Sequence, residues 1–382
     1  MNNKVLITGG AGFIGSYLTN LLYENGYEII IIDKLLTQIH GKDPQNSYLL
    51  NSVKGKAILY QEDISNSNSL SEIVKSVDYI VHLAAETGTG QSMYELASYV
   101  NTNSLGTATL LETVVKTPNN IKKFILASSR AVYGEGKYKC QTHGIVYPKD
   151  RNIKDLKKED FECKCPICEK SLQLMATTED SLLYPKSIYG ITKLNQEQLV
   201  ESCCSSLNIP YTIFRFQNVY GKGQSLKNPY TGILAIFSNL LQNNEEINIF
   251  EDGSESRDFI HVKDIVDAIF LDIQSPIKNQ IYNVGRGIST SVIEIVDILI
   301  TLFGTNNTSK ITGAFRVGDI RHNKADISKI SANLGFNPKI TLEHGINEFV
   351  EWIQNTSNAF DELNYQKSVE EMQKLNLYYE KK

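Results

Sequence analysis

The sequence is poor in three features that would assign it to a specialised class of protein. It has six cysteines in 382 residues, too few for a disulfide-stapled secreted domain. No stretch approaches the roughly 18 apolar residues that a membrane-spanning helix requires. Lys and Arg number 38 against 43 Asp and Glu, for a net charge of −5. Because surfaces that bind nucleic acid are normally basic, we do not expect nucleic acid as a partner. Since no stretch is apolar enough to span a membrane, we do not expect a membrane as a partner either.

The amino-terminal residues also lack a leader pattern. MNNKVLITGG leads directly into a β-branched run, without the apolar segment and cleavage site of a signal peptide. We therefore expect a cytoplasmic protein with reduced cysteines, whose clustering needs an explanation other than disulfides. The remaining composition, 41% apolar and 21% charged residues, is that of an ordinary globular protein.

The first third of the chain alternates short β-branched runs with amphipathic segments. This alternation predicts an α/β fold with a parallel, doubly wound sheet. The predicted strands are 4–8, 28–33, 57–61, 79–84, 123–128 and 211–216, and the helices between them are 14–25, 70–75, 99–116 and 189–207. Residues 134–180 break the pattern and read as an insertion. Further helical patterns occupy 262–273, 291–303 and 342–356.

A glycine-spaced turn lies between the first predicted strand and the first helix. Gly9 allows the tight turn, Gly12 lets the backbone approach a pyrophosphate, and Gly15 lets helix and strand pack closely. The helix N-terminus then offers free N–H groups to that pyrophosphate. The alternative is that these are ordinary turn glycines. Because the motif lies at the first strand–helix junction, this alternative is the weaker interpretation.

An acidic residue ends the second predicted strand. The Asp33 carboxylate can accept hydrogen bonds from an adenosine ribose and would repel a 2′-phosphate, which favours NAD over NADP. Lys34 weakens this preference, because a cation there would tolerate the phosphate. Asp63 and Ile64, after the third strand, are expected to contact the adenine.

Tyr189 and Lys193 are spaced i, i+4 and therefore share one face of a predicted helix. A nearby ammonium should lower the tyrosine pKa from about 10, so that the phenolate can act as a general base toward a sugar hydroxyl. Lys193 can also hold the nicotinamide ribose, and Ser129 can hydrogen-bond the same substrate oxygen. Since Tyr-x-x-x-Lys is common on solvated helices, these residues are catalytic candidates only together with the glycine turn.

The insertion contains two short-spaced pairs of potential metal ligands. Cys140 and His143 form the first pair, and Cys165 and Cys168 form the second. The spacing matches a tetrahedral Cys₃His zinc site, which would be structural because the protein fills all four positions. A polar, aperiodic segment could derive its folding free energy from such a metal. Free thiols with an incidental histidine are the alternative, and Cys163 is a spare ligand.

Several segments together resemble the extended short-chain dehydrogenase/reductase family, in its branch of nucleotide-sugar epimerases and dehydratases. They follow the family's order over roughly residues 1–350. The segments are TGGAGFIG at 8–15, HLAA at 82–85, NSLGT at 103–107, SSRAVYGE at 128–135, Tyr189-x-x-x-Lys193, RFQNVYG at 215–221, RDFIHVKD at 257–264 and RVGD at 316–319.

The resemblance implies a domain organisation and an assembly. A Rossmann domain would span 1–216, continue at about 258–285 and be interrupted by the insertion at 134–180. Residues 217–257 and 286–356 would form a smaller substrate-binding lobe, followed by a tail at 357–382. Helices 99–116 and 189–207 would pair with those of a second copy in a homodimer.

The resemblance also implies two sets of binding residues. The cofactor would meet Phe13, Ile14, Leu83, Ala84, Ala85, Asn103, Tyr189, Lys193 and Val219. The nucleotide-diphosphate sugar would meet Glu86, Thr87, Ser129, Asn218, Phe250, Arg257, Arg316 and Asp319, with the arginines on the phosphates and Phe250 at the base.

Two contrasts within the family narrow the expected reaction. The 4,6-dehydratases carry an Asp-Glu pair where this chain has Arg130 and Ala131, so elimination lacks its acid and base and 4-epimerisation is favoured. The insertion, ETGTGQSMY at 86–94 and residues 225–237 together resemble the group that interconverts dTDP-L-rhamnose and dTDP-6-deoxy-L-talose. Gln217 departs from the histidine expected in that group. A UDP-hexose 4-epimerase and a catalytically silent NAD-binding scaffold are the alternatives.

Overall fold

A seven-stranded parallel sheet forms the centre of the molecule. The computed structural model describes residues 3–226, 232–304, 308–356 and 369–380. The sheet strands are β1 (Lys4–Thr8), β2 (Glu28–Ile32), β3 (Ile58–Tyr60), β4 (Tyr79–His82), β5 (Lys123–Ser129), β6 (Tyr211–Phe216) and β7 (Gln280–Val284). Their spatial order is β3-β2-β1-β4-β5-β6-β7, which confirms the predicted doubly wound sheet. The strand order reverses between β1 and β4, and such a switch point opens a ligand crevice at the carboxyl ends of the strands.

Helices cover both faces of the sheet, as the alternating pattern predicts. Successive side chains of β1 point to opposite faces, so Val5 and Ile7 enter one apolar core and Leu6 enters the other. The covering helices are Phe13–Glu24, Leu70–Ser76, Gly106–Lys116, Ile188–Leu207 and Val262–Gln274. Among the helices in the described ranges, none is both long and apolar enough to cross a membrane.

The predicted helix 99–116 is divided in the structure. It consists of the short helix Leu96–Tyr99, a π-helical segment at Val100–Leu105 and the α-helix Gly106–Lys116. Single π-helical turns are common at functional sites, because they redirect side chains within a continuous helix. Asn103, one of the expected cofactor residues, lies on this segment.

A second lobe with its own apolar core follows β6. Its helices are Ile233–Gln242, Val292–Phe303 and Leu342–Gln354, and the last two lie close to their predicted bounds. Short strand pairs complete it: Asn218–Tyr220 with Phe259–His261, Ile247–Ile249 with Ser309–Ile311, and Ser256–Arg257 with Thr290–Ser291. The Ile233–Gln242 helix buries almost every residue, since it packs between the other two helices.

The insertion is more regular than its sequence indicates. Tyr138–Cys140 pairs with Gly144–Val146 and Gln173–Leu174 in a three-stranded antiparallel sheet, and Ile153–Leu156 forms a short helix. Its apolar core is a small cluster that includes Tyr138. The insertion therefore has little apolar core of its own.

Part of the tail packs on the second lobe. Residues 369–374 are helical, and Tyr378–Tyr379 pairs antiparallel with Phe315–Arg316. Met372 and Tyr378 are buried there. Residues 357–368 of the tail and 227–231 of the expected sugar-group segment lie outside the described residues.

Candidate active site

The glycine turn has the geometry that its spacing predicts. Gly9 adopts a φ of +70°, and a Cβ there would lie 2.9 Å from the backbone of Ala84. A Cβ on Gly15 would collide with the carbonyl oxygen of Gly9, so helix and strand approach as closely as glycine allows. Gly12 is the N-cap of the Phe13–Glu24 helix, whose first N–H groups face the cleft beside it. This is the arrangement that binds a pyrophosphate.

Three carboxylates and a lysine meet at the outer end of the cleft, at Asp33 and Lys34. Asp33 accepts hydrogen bonds from the backbone N–H groups of Ala11 and Leu35, at 3.1 and 2.9 Å, and burial raises its pKa. The Lys34 ammonium lies 3.0 Å from Glu86 and 3.7 Å from Asp63. The charge of Lys34 is already neutralised by the Asp63 and Glu86 carboxylates, so Lys34 would attract a 2′-phosphate only weakly. This strengthens the preference for NAD over NADP.

One continuous cleft runs from this acidic end to Tyr189. Every residue expected to bind the cofactor lines it except Asn103. The lining residues that were expected are Gly9, Gly12, Phe13, Ile14, Gly15, Asp33, Lys34, Asp63, Ile64, Leu83, Ala84, Ala85, Tyr189, Lys193 and Val219, with Thr87 and Ser129 of the substrate set.

Asn103 lies behind the cleft wall. Its side chain accepts a hydrogen bond from the Glu86 backbone N–H at 2.8 Å and donates to the Thr192 hydroxyl at 2.9 Å. It is fully buried and joins the 86–94 loop to the helix of Tyr189. The structure therefore gives Asn103 a positioning role that its sequence motif does not reveal.

Tyr189, Lys193 and Ser129 meet at the inner end of the cleft, as expected. The Lys193 ammonium donates to the Ala127 carbonyl oxygen at 2.9 Å and lies 6.0 Å from the centre of the Tyr189 ring. Burial lowers the pKa of Lys193 to about 7. Burial also raises the pKa of Tyr189, while the Ser129 hydroxyl and the charge of Arg130 oppose that rise. The expectation that Lys193 leaves Tyr189 with a lowered pKa is therefore wrong, because desolvation dominates and the opposing charge belongs to Arg130.

The expected phosphate-binding arginines lie in the second lobe, outside the cofactor cleft. The Arg257 guanidinium donates to the backbone oxygens of Ile320 and Arg321, at 2.7 and 3.0 Å. Arg316 stacks on Phe250 at 4.9 Å, and its buried Nε has no hydrogen-bond partner within the described ranges. The structure thus places Arg316 against Phe250 and holds Arg257 against the backbone of residues 320–321, all in the second lobe.

Asp319 and Asn218 extend this surface toward the cleft. Asp319 and Arg316 line a small depression with the N-cap residue of the Tyr189 helix and with Thr89 of the 86–94 loop. The backbone N–H of Asn218 donates to the Asp258 carbonyl oxygen at 2.9 Å, and the Asn218 side-chain oxygen is buried without a partner among the described residues.

A buried network of charges ties the insertion to the 316–322 loop. Arg321 pairs with Glu251 at 2.8 Å and with Glu162 of the insertion at 2.7 Å. Arg151 of the insertion pairs with the same Glu251 at 2.7 Å and donates to the Asp319 carbonyl oxygen at 2.8 Å. Hydrogen bonding to His322, together with Arg321, lowers the pKa of Glu162 to about 2. Sequence patterns showed none of these pairs, because their members are far apart in the chain.

The four expected metal ligands converge at one point of the insertion. Cys140 Sγ lies 3.8 Å from Cys168 Sγ and 3.6 Å from His143 Nδ1, and Cys165 Sγ lies 3.5 Å from the same nitrogen. All four ligand atoms fall within 4.8 Å of one another. Bonds of about 2.3 Å to sulfur and about 2.0–2.1 Å to nitrogen around a tetrahedral zinc separate the ligand atoms by about 3.8 and 3.6 Å. The donor set and its spacing therefore fit zinc.

Gln217 and His40 are among the cleft residues that were not expected to act there. Gln217 lines the cleft, and its side-chain oxygen is buried with no hydrogen-bond partner in the described part of the chain. His40 lines the acidic end, where its Nδ1 lies 2.9 Å from the Ser47 hydroxyl. In the sequence, Gln217 was signalled only because a histidine was expected at that position. No sequence feature pointed to His40.

Comparisons with known proteins agree with this geometry. A family model described as "GDP-mannose 4,6 dehydratase" matches residues 6–149, and one described as "NAD dependent epimerase/dehydratase family" matches residues 168–285. The chain is 36% identical over 353 residues to a dTDP-L-rhamnose 4-epimerase of Burkholderia thailandensis, covering 92% of this chain and 94% of that protein.

Solved structures of epimerases have the same fold. The UDP-glucose 4-epimerase of Thermotoga maritima with UDP-glucose superposes with a TM-score of 0.75 at 30% identity, covering 93% of this chain and 100% of that one. The UDP-glucuronic acid 4-epimerase of Bacillus cereus, with UDP-glucuronic acid and NAD, gives 0.74 at 26%, covering 92% and 99%. The chain therefore belongs to the NAD-dependent epimerase/dehydratase family, among its nucleotide-sugar epimerases.

Proposed function

We propose that the protein interconverts dTDP-L-rhamnose and dTDP-6-deoxy-L-talose by reversible oxidation at C4. The observation that carries this proposal is the placement of Ser129, Tyr189 and Lys193 at the inner end of the cofactor cleft. Arg130 and Ala131 stand where a dehydratase needs its acid pair. The relative from Burkholderia thailandensis, which carries the name of this activity, supports the choice of sugar.

The chemistry follows from what these side chains can hold and move. Bound NAD supplies a reversible hydride acceptor at C4. The Tyr189 oxygen takes the proton of the C4 hydroxyl and later returns it, so a single residue serves both directions. Ser129 hydrogen-bonds the C4 oxygen while its charge changes, and Lys193 orients the ribose of the cofactor. Because the reaction has no net redox change, the cofactor need not leave between turnovers.

Epimerisation also requires the oxidised sugar to present its other face. Arg257 and Arg316 lie on the second lobe, so they can hold the diphosphate while the sugar turns about its phosphate linkage. The 86–94 loop lies between that lobe and Tyr189, since Thr89 shares a depression with Arg316. Its residues are therefore placed to read the C6 methyl group and the sugar hydroxyls.

The deciding experiment is an incubation of the purified protein with dTDP-L-rhamnose and no added reductant. Proton NMR should show an equilibrium mixture with the C4 epimer. Turnover of UDP-galactose without turnover of dTDP-L-rhamnose would instead establish the UDP-hexose alternative. If neither sugar turns over while the protein retains stoichiometric NAD, the silent scaffold is the correct interpretation.

We also propose that Cys140, His143, Cys165 and Cys168 hold a structural zinc ion. The agreement of their separations with a tetrahedral site supports this, together with the small apolar core of the insertion. Plasma mass spectrometry of gently purified protein should find one zinc per chain. Cys165→Ser should abolish it, whereas Cys203→Ser, outside the cluster, should not. A wild-type protein without zinc would refute the proposal.

A homodimer through the two long helical segments is a further part of the proposal. Apolar side chains of these segments are exposed, among them Leu105, Val115 and Ile191. Such a face is stabilised when a second copy covers it. Light scattering should give twice the chain mass for the wild type and a lower mass for Leu105→Glu; a wild-type monomer would disprove the dimer.

A further inference from the structure

Arg130 is held beside Tyr189 by the backbone around it. It follows Ser129, the last residue of β5, and begins a short 3-10 turn. This turn packs against the start of the Tyr189 helix so closely that a Cβ on Gly190 would lie 2.7 Å from the Ala131 carbonyl oxygen. The backbone of Arg130 therefore lies between Ser129, which lines the cofactor cleft, and the start of the Tyr189 helix.

The guanidinium of Arg130 is half-buried and makes no hydrogen bond or ion pair with any residue that the structure describes. Two other buried arginines behave differently: Arg215 pairs with Glu197 at 2.7 Å, and Arg321 pairs with Glu251 at 2.8 Å. A guanidinium carries five donors and is costly to bury without acceptors. Arg130 thus has the donors of a ligand-binding residue.

The charged groups around Arg130 place it between the two halves of the proposed site. Burial, followed by the neighbouring Arg257, lowers the pKa of Arg130 to about 10, and Asp319, Glu135 and Tyr189 act in the opposite direction. Because like charges disfavour each other, Arg130 and Arg257 are stabilised when an anion binds near both of them. The reacting oxygen and the diphosphate are the anionic groups of the proposed substrate complex.

We propose that Arg130 is a further catalytic residue, which contacts the sugar substrate and stabilises the negative charge that passes between the C4 oxygen and the Tyr189 oxygen. This inference rests on the proposed epimerase function. A fixed cation aimed at a developing oxyanion lowers the barrier without reorganising at the moment of reaction. Arg130 also provides positive charge beside Tyr189. Lys193 provides only part of that charge, because its pKa is lowered.

The test compares Arg130→Gln with Arg130→Lys and with Lys122→Gln. Lys122 precedes β5 at its opposite end, and its replacement by Gln removes a surface charge of the same sign. Arg130→Gln should lower kcat about 100-fold with a change in KM of less than about threefold. Arg130→Lys should recover part of the loss, and Lys122→Gln should match the wild type.

A second readout does not need turnover. Ultraviolet titration of tyrosinate, taken as the difference between each protein and its Tyr189→Phe counterpart, should show Tyr189 ionising at higher pH in Arg130→Gln. A higher KM with unchanged kcat and titration would overturn the proposal and leave Arg130 as a phosphate ligand. If the wild type epimerises no nucleotide sugar, the proposed function fails, and the titration still decides whether Arg130 supports the phenolate.

Discussion

The proposed cofactor half of this molecule is the cleft from the glycine turn to Tyr189, and its proposed substrate half is the second lobe with the insertion. These two halves are built on different principles. Contiguous motifs line the cofactor cleft: the glycine turn and HLAA place neighbouring residues at strand ends, and the Tyr189 helix adds two residues one turn apart. The substrate half is assembled from distant segments, and the insertion reaches the 316–322 loop through Arg151, Arg321 and Glu162. A contiguous motif can therefore define a cofactor site by itself, whereas the proposed substrate half depends on long-range ion pairs.

The largest effect is expected where the halves meet. Tyr189→Phe removes the group that moves the C4 proton, so kcat should fall by about 10³-fold or more. The purified variant should keep its bound NAD, because the glycine turn and Asp33 are untouched. Stopped-assay NMR measures the rate, and Tyr23→Phe, an exposed tyrosine of the first helix, is the control. Activity within tenfold of wild type would remove Tyr189 from the mechanism.

A smaller effect is expected at the outer end of the cofactor half. Asp33→Asn removes the anion that accepts the ribose hydroxyls and excludes a 2′-phosphate, so the Kd for NAD should rise about 30-fold. Calorimetry with NAD and NADP should show the preference between them shrinking, with the affinity for dTDP unchanged. An unaltered preference would mean that Lys34 and its carboxylate partners decide cofactor choice.

Removal of the proposed zinc ion should weaken ligand binding in the substrate half and leave the cofactor half unchanged. Chelation, or Cys165→Ser, should loosen the insertion and weaken dTDP binding about tenfold, because the insertion holds the Asp319 backbone through Arg151. NAD content should stay constant, since no cofactor-lining residue belongs to the insertion. Loss of NAD together with dTDP binding would show that the two halves are not independent.

The smallest effect is expected from a single ion pair of this connection. Glu162→Gln weakens the pairing with Arg321, so KM should rise about threefold to fivefold while kcat is unchanged. The matched control is Asp160→Asn, which loses a pair with Lys164 inside the insertion. Steady-state kinetics on both variants distinguishes them. An equal rise in KM for both would assign the effect to general loosening of the insertion.

The sequence alone determined the doubly wound sheet, the cofactor cleft and the meeting of Ser129, Tyr189 and Lys193. These features depend on periodicity, strand–helix junctions and i, i+4 spacing, which are local properties of a chain. The convergence of Cys140 and Cys168 was also predictable, since short-spaced ligand pairs indicate one metal site.

How the cofactor half meets the substrate half could not be predicted from local sequence patterns. The tertiary structure placed Asn103 behind the cleft wall, paired Arg321 with Glu162, and left Arg130 near Tyr189 without an ion pair among the described residues. Burial then raised the pKa of Tyr189, where the spacing to Lys193 had predicted a lowered one. The physical reason is that desolvation and ion pairing depend on what surrounds a group in space, which no local pattern of residues encodes.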